Sequence, residues 1–74
     1  MNEFDFRLFW RELSEEQKED IARKANTTVA YIKTHLVFAR RIPSRERMKL
    51  LHSACSEYQS DLSLEQLLSF FYAA

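Results

Sequence analysis

The chain has 74 residues, no glycine, one proline and one cysteine, and its 11 basic and 11 acidic side chains give a formal net charge of zero. This length suits one small domain over residues 1–74, and a single cysteine excludes an internal disulfide. The lack of glycine disfavours a β-rich fold and favours helices joined by short polar links. The sequence shows no Cys/His cluster with zinc-ligand spacing, no membrane-spanning apolar run and no signal-peptide pattern. We therefore predict a cytoplasmic all-α domain without a metal or cofactor.

The zero net charge conceals a separation of charge along the chain. Residues 1–20 hold seven acids and three bases, residues 21–51 hold eight bases and one acid, and residues 52–74 hold three acids and no base. The central segment therefore carries +7 between flanks of −4 and −3. One basic side on a small domain suits a polyanionic partner.

The first predicted helix covers residues 3–12. Asn2 is a suitable N-cap, and Glu3 and Asp5 would complement the dipole of the first turn. Apolar side chains recur at i, i+3, i+4 and i+7, so we expect them to face the core. They are Phe6, Phe9, Trp10 and Leu13.

A second helix is predicted to begin at residues 14–17 (SEEQ), a capping box in which serine and glutamine satisfy each other's free backbone amides. It ends near residue 25, and Asn26 can terminate it because asparagine tolerates the left-handed conformation. Thr27 or Thr28 then caps a third helix that continues to about residue 38. The expected inner face of this third helix consists of Val29, Ile32 and Leu36.

These two helices have the spacing of a helix-turn-helix, whose second helix enters the DNA major groove. The first helix needs a small residue where the second crosses it, and Ala22 supplies one. The turn needs a residue that accepts left-handed geometry, which Asn26 supplies four positions later. The second helix needs an apolar anchor, which Ile32 supplies ten positions after Ala22.

Pro43 should stop the third helix, and Ser44 should cap a fourth over about residues 45–58, with Cys55 as a packing thiol on its apolar face. A second capping box, residues 63–66 (SLEQ), predicts a last helix from Leu64 to about Tyr72. This helix is apolar on more than one face, which indicates a partner surface. Residues 62–74 are therefore the candidate homodimer interface, and the sequence leaves open whether this helix instead packs in the core. The predicted interface residues are Leu68, Phe70, Phe71 and Tyr72.

Three stretches together resemble the Cro-type, YdaS-like DNA-binding proteins of phages and prophages. They are residues 13–17 (LSEEQ), 21–32 (IARKANTTVAYI) and 41–44 (RIPS). Asn26 and Ala30 stand where the family often has glycine, and the apolar last helix replaces a short polar end. The resemblance implies a compact five-helix, lambda-repressor-like domain. It implies a homodimeric repressor that reads a double-stranded DNA operator in a bacterial or phage-infected cell, with no small-molecule substrate.

The expected DNA contacts follow from this motif and from the basic segment. The residues expected to contact bases are Thr28, Ala30, Tyr31, Lys33 and Thr34. Those expected to contact the DNA backbone are Lys18, Lys24, Thr27, Arg40, Arg41, Arg45 and Arg47. The six basic members of the second set predict a slope of log affinity against log salt of about −5. Either threonine can instead be only a helix cap, Tyr31 can pack between helices, and His35 can be a packed or solvated side chain.

Other classes of function have less support in the sequence. An enzyme is not expected, because no glycine loop can hold a phosphate and the pair His52 and Cys55 lacks an evident third orienting group. The alternative is a small helical module that binds another regulator or RNA polymerase. That alternative gains support if Lys33, Arg40, Arg41 and Arg45 spread over several faces or pair with the acidic flanks.

Overall fold

The computed structural model describes residues 4–72 of the chain. These residues contain five helices joined by short links, and no strand occurs among them. The predicted five-helix, all-α class is therefore confirmed. Helix α3 continues directly into a π-helical segment. The bounds are α1 Phe6–Arg11, α2 Glu15–Lys24, α3 Val29–Tyr31 with the π-helical segment Ile32–Leu36, α4 Arg45–Ser56 and α5 Leu64–Tyr72.

Side-chain caps mark where all five helices begin, and three of them are serines. Ser14 and Gln17 exchange hydrogen bonds of 2.9 and 3.2 Å, and Ser63 and Gln66 repeat the arrangement at 2.9 and 3.0 Å. Both predicted capping boxes are thus confirmed. Ser44 caps α4 by accepting the N–H of Arg47 at 3.2 Å. Each cap satisfies amides that the helix itself leaves without partners.

The predicted start of the first helix was wrong. Helix α1 begins at Phe6, because the carboxylate of Asp5 accepts the N–H groups of Arg7 and Leu8 at 3.0 and 3.3 Å. An aspartate with an extended backbone is a strong N-cap, so the helix begins directly after Asp5. The predicted cap Asn2 lies outside the described residues.

The core brings aromatic side chains of α1 against the last helix. Phe6 is fully buried and makes edge contacts with the rings of Phe70 and Phe71 at 5.8 and 6.0 Å between centroids. Phe4 also meets Phe70, at 6.5 Å. Edge-to-face rings at such distances add to the stabilisation from apolar burial.

This packing changes the prediction that α5 is an interface helix. Phe71 is only 2% exposed and belongs to the core, so its side chain is not available to a second copy. Phe70 and Leu68 are half-buried against the same core, and only Tyr72 is largely exposed. The second apolar face is explained mainly by the N-terminal phenylalanines, which the helical pattern of α5 alone could not reveal.

Both helices of the predicted helix-turn-helix end in the same manner. After α2, the N–H of Asn26 bonds the carbonyl of Arg23 and the N–H of Thr27 bonds that of Ala22, at 3.1 and 2.9 Å. Asn26 has a φ of 60°, as predicted for the turn. Ala39 repeats this left-handed geometry after the third helix, with a φ of 55°. This pattern is the Schellman motif, in which glycine normally takes the left-handed position.

Replacing Ala39 with glycine is therefore expected to raise the free energy of unfolding by about 0.5–1 kcal/mol. The left-handed conformation costs alanine more than glycine, and this outweighs the extra freedom that glycine gives the unfolded chain. Urea denaturation followed by Trp10 fluorescence would measure the change. Asn26→Ala is the matched opposite and should lower stability. A destabilised Ala39→Gly protein would show that contacts of the alanine methyl group matter more than its backbone strain.

The π-helical segment explains why Val37 lies in the core. The N–H of Val37 bonds the carbonyl of Ile32, five residues earlier, at 2.9 Å. Val37 is only 6% exposed and belongs to the same buried core as Ile32. The inner face predicted from the ordinary helical period, Val29, Ile32 and Leu36, left Val37 on another face, and for Val37 that prediction was wrong. Such π segments are rare and often occur at functional sites.

Candidate nucleic-acid interface

The helix over residues 29–36 has one buried and one exposed face. Ile32 and Leu36 are buried among α2 and the other core residues, and Ala22 is buried where α2 and this helix meet. Ala22 and Ile32 are therefore buried as the helix-turn-helix spacing predicted, and Leu36 is buried as predicted for the inner face. The opposite face is free of core contacts. Its exposed residues are Ala30, Lys33 and Thr34.

The two threonines before this helix have different roles. Thr28 is the cap, and its hydroxyl oxygen accepts the N–H of Tyr31 at 3.1 Å. Its side chain is exposed, so the hydroxyl hydrogen can still be donated to an outside acceptor such as a phosphate oxygen. Thr27 is half-buried in the turn. Capping and phosphate contact are therefore compatible at Thr28.

Tyr31 and His35 form the edge of this surface. Their rings lie 4.9 Å apart between centroids, and both residues are half-buried. Tyr31 also packs against the core. The pairing fixes two side chains on consecutive turns, which makes Tyr31 less adaptable to a base edge than the exposed Lys33.

The cations of α2 are already paired with acids of the same domain. The Asp20 carboxylate lies 2.6 Å from Arg23 and 3.0 Å from Lys24, and it accepts the hydroxyl of Tyr58 at 2.7 Å. Lys24 also meets Glu57 at 2.5 Å. The Tyr58 hydrogen bond, and then Lys24, lowers the pKa of Asp20, while Glu57 and then Asp20 raise the pKa of Lys24. This network joins α2 to the end of α4.

Lys18 is engaged as well. Its ammonium group lies 3.8 Å from Glu15 and 5.8 Å from the centre of the Trp10 ring, and its side chain is largely buried. Lys18 and Lys24 were both predicted to contact the DNA backbone. Each already has a negatively charged partner, so each would lose an ion pair to reach a phosphate.

The cations from Lys33 onward, on the third helix and after it, have no such partners. From Lys33 to Lys49 the chain holds six bases and one acid. Among residues 4–72, none of these six bases lies within ion-pair distance of a carboxylate. The Arg40 backbone lies directly against the last helical turn, because its N–H bonds the carbonyl of His35 at 2.8 Å. Unpaired positive charge therefore begins on the helix and continues into the loop.

Phe38 is a part of this surface that the sequence did not indicate. Its ring is 51% exposed, and it lies 5.9 Å from the guanidinium carbon of Arg7 and 5.5 Å from that of Arg40. Aromatic faces attract guanidinium groups, so Phe38 holds both arginines on the same surface. The ring also borders an open depression of about 480 Å³ between α1 and the loop. Arg7 joins the site across a long sequence separation, which no local pattern could have predicted.

The predicted backbone contacts on α4 do not all join this surface. Arg45 and Lys49 line a groove between α4 and α5, together with apolar residues of both helices. Arg47 is half-buried. Arg45, which was predicted to contact the DNA backbone, therefore lies on the groove between α4 and α5 and not beside Phe38 and Arg40.

The two residues considered for catalysis are both in structural positions. Burial raises the pKa of the Cys55 thiol to about 12, so the reactive thiolate is scarce at neutral pH. His52, which had no predicted partner, has its Nε2 atom 2.8 Å from the carbonyl oxygen of Leu62 and can donate to it. No cluster of three or more potential metal ligands occurs between residues 4 and 72.

Comparisons with known proteins found no matching family model, no matching curated protein and no matching solved structure. Within the described range, no helix combines the length and apolarity needed to cross a membrane.

The Asp20 network predicts a specific response to acid. Because the folded-state pKa of Asp20 is lowered from 3.8, its ionised form stabilises the fold above that value, and this stabilisation is lost as the pH falls through the folded-state pKa. Asp20→Asn should therefore show a smaller loss of stability than the parent chain between about pH 5 and about pH 2. Urea denaturation at several pH values would measure this. Tyr58→Phe removes the hydrogen bond that lowers the Asp20 pKa most, so its loss of stability with acid should lie between those of the parent chain and Asp20→Asn. If all three proteins lost stability equally, Asp20 would not be the group responsible.

Proposed function

We propose that this protein is a Cro-like transcriptional repressor that binds a double-stranded DNA operator and reads it with the helix over residues 29–36. The observation that carries the proposal is the exposed face of Ala30, Lys33 and Thr34, which leads directly into unpaired cations. A helix of this width fits the major groove, and phosphates would contact the flanking positive charge.

In this proposal the exposed residues of the helix read bases. Lys33 donates to the O6 and N7 atoms of guanine, and Thr34 offers a hydroxyl to a neighbouring base. The small side chain of Ala30 lets the helix approach closely and can contact a thymine methyl group. Thr28, at the helix N-terminus, has a hydroxyl for a base or a phosphate.

The backbone contacts come from the loop after the helix. Arg40 and Arg41 are exposed and unpaired within the described chain, and we add Arg7, which Phe38 holds near Arg40. Phosphate contacts set the position of a protein on the duplex without selecting sequence. Lys18 and Lys24 are left out of this set because their carboxylate partners already neutralise them.

We further propose that two copies bind one operator. One short helix reads few base pairs, and two half-sites increase both affinity and the length of sequence that is recognised. The expected sign is a two-fold symmetric binding site and a complex with two chains per duplex. Selection from a random DNA pool, combined with the mass of the complex in solution, tests both points.

The salt dependence of DNA binding should reflect the reduced set of free cations. Three phosphate contacts, from Arg40, Arg41 and Arg7, predict a slope of log affinity against log salt of about −2.7 per chain. The six contacts expected from sequence would give about −5. Fluorescence anisotropy of a labelled duplex over a range of salt measures the slope. Binding that does not change with salt would contradict the proposal.

A further inference from the structure

A second surface of the molecule combines apolar residues with unpaired positive charge. The groove between α4 and α5 has a volume of about 360 Å³. Of its apolar residues, Met48 is buried, Leu64 and Leu68 are half-buried, and Tyr72 is largely exposed. Its lining consists of Pro43, Arg45, Met48, Lys49, Leu64, Leu68 and Tyr72.

The charge of this groove has one sign. Arg45 and Lys49 stand one turn apart on α4, both are exposed, and neither has an ion-pair partner among residues 4–72. No acid occurs in the lining. The exposed acids nearest in sequence, Glu46 on α4 and Glu65 on α5, lie beyond ion-pair distance of both cations.

These charges disfavour a second copy of the chain as the occupant. A two-fold dimer would bring the same patch of each copy together. The pairs Arg45 and Lys49 of the two copies would then face one another without an acid in either lining. Like charges brought together at an interface oppose association and so act against this pairing.

We propose that the α4–α5 groove binds an amphipathic helical segment of another protein, with apolar anchors at helical spacing and acidic residues beside them. Helices commonly bind in apolar grooves through residues at i, i+3 or i+4 and i+7. Here Leu64, Leu68 and Tyr72 repeat every four residues along one wall, which provides a matching row. Arg45 and Lys49 pair with the acidic flank. This binding does not depend on DNA binding, because Ala30, Lys33 and Thr34 lie outside the groove.

The test measures binding of a fluorescent designed peptide to the full chain. The probe is a helical peptide with leucine at i, i+3, i+4 and i+7 and glutamate at all other positions. A second probe replaces every glutamate with lysine. The acidic probe should bind at least about tenfold more tightly than the basic one, and added salt should reduce the difference.

Charge reversal separates a specific groove from general attraction. Arg45→Glu with Lys49→Glu should weaken binding of the acidic probe by at least about tenfold and strengthen binding of the basic probe. Leu68→Ser, a change on a half-buried side chain, should weaken both. Lys33→Glu is the matched cation change outside the groove and should leave the binding of both probes nearly unchanged.

The outcomes divide clearly. Equal binding of the two probes, or an effect of Lys33→Glu as large as that of the double reversal, would overturn the proposal. It would also be overturned if the chain alone formed dimers in sedimentation that Arg45→Glu with Lys49→Glu abolished. Because the assay contains no DNA, a failure of operator binding leaves this result unaffected.

Discussion

Replacing Lys33 with alanine is expected to change which DNA sequence the protein prefers, whereas replacing Arg41 with alanine should weaken its binding to all sequences alike. Lys33 lies on the exposed face of the third helix, where a side chain can reach base edges. Loss of a good base contact removes about 1–3 kcal/mol of discrimination, which is about 5- to 150-fold against the wrong base. Random duplex, which lacks that base contact, should lose much less.

Arg41 lies in the loop, where the expected partner is a phosphate. Arg41→Ala should therefore reduce affinity for operator and random duplex by the same factor and lower the salt slope by about 1. The measurements are titrations of the selected operator and of a shuffled duplex at several salt concentrations. Lys33 and Arg41 are exposed and have no ion-pair partner among residues 4–72, so both variants should fold as the parent chain does.

Lys49→Ala is the control for this pair. Lys49 is an exposed, unpaired cation of the same basic segment, but its side chain lines the groove between α4 and α5. It should change DNA binding less than Arg41→Ala does, apart from a small general effect of net charge. If all three variants had equal effects on both duplexes, the attraction would be non-specific and the division into base and backbone contacts would fail.

Local signals in the sequence were sufficient for much of the fold. The two capping boxes depend on residues three apart, so their geometry follows from composition and spacing alone. Asn26 is similar, because asparagine tolerates the left-handed conformation better than other non-glycine residues and it directly follows the amphipathic segment. Ala22 and Ile32 were predicted as contacts since a helix-turn-helix fixes both positions relative to Asn26.

The misplaced or missed features share a different cause. Val37 lies inward because the third helix adopts π geometry, and its sequence contains no proline or glycine to signal this. Arg7 joins Phe38 only after α1 has folded against the loop. Lys24 is not free to contact a phosphate, because it pairs with Asp20 nearby in the sequence and with Glu57 far along it. Separation of charge along a chain therefore predicts a basic segment but not which of its members remain free.

Replacing Phe71 with alanine is expected to cost about 3–5 kcal/mol of unfolding free energy. The side chain is 2% exposed and contacts both Phe6 and Phe70, so its loss leaves a cavity where α5 meets α1. A domain of this size often has only about 5 kcal/mol of stability, so the variant should be largely unfolded. Urea denaturation followed by the fluorescence of Trp10 and by helical circular dichroism measures the loss.

Tyr72→Ala is the control for Phe71→Ala. Tyr72 is the next residue, is aromatic and is 65% exposed, and its replacement should change stability by no more than about 0.5 kcal/mol. Equal stability of the two variants would place α5 outside the core and restore the whole helix as a surface for a partner. If they differ as expected, removal of α5 would unfold the domain and could not report on assembly. Tyr72→Ala, which leaves the core intact, is then the appropriate variant for testing whether copies of this chain associate through α5.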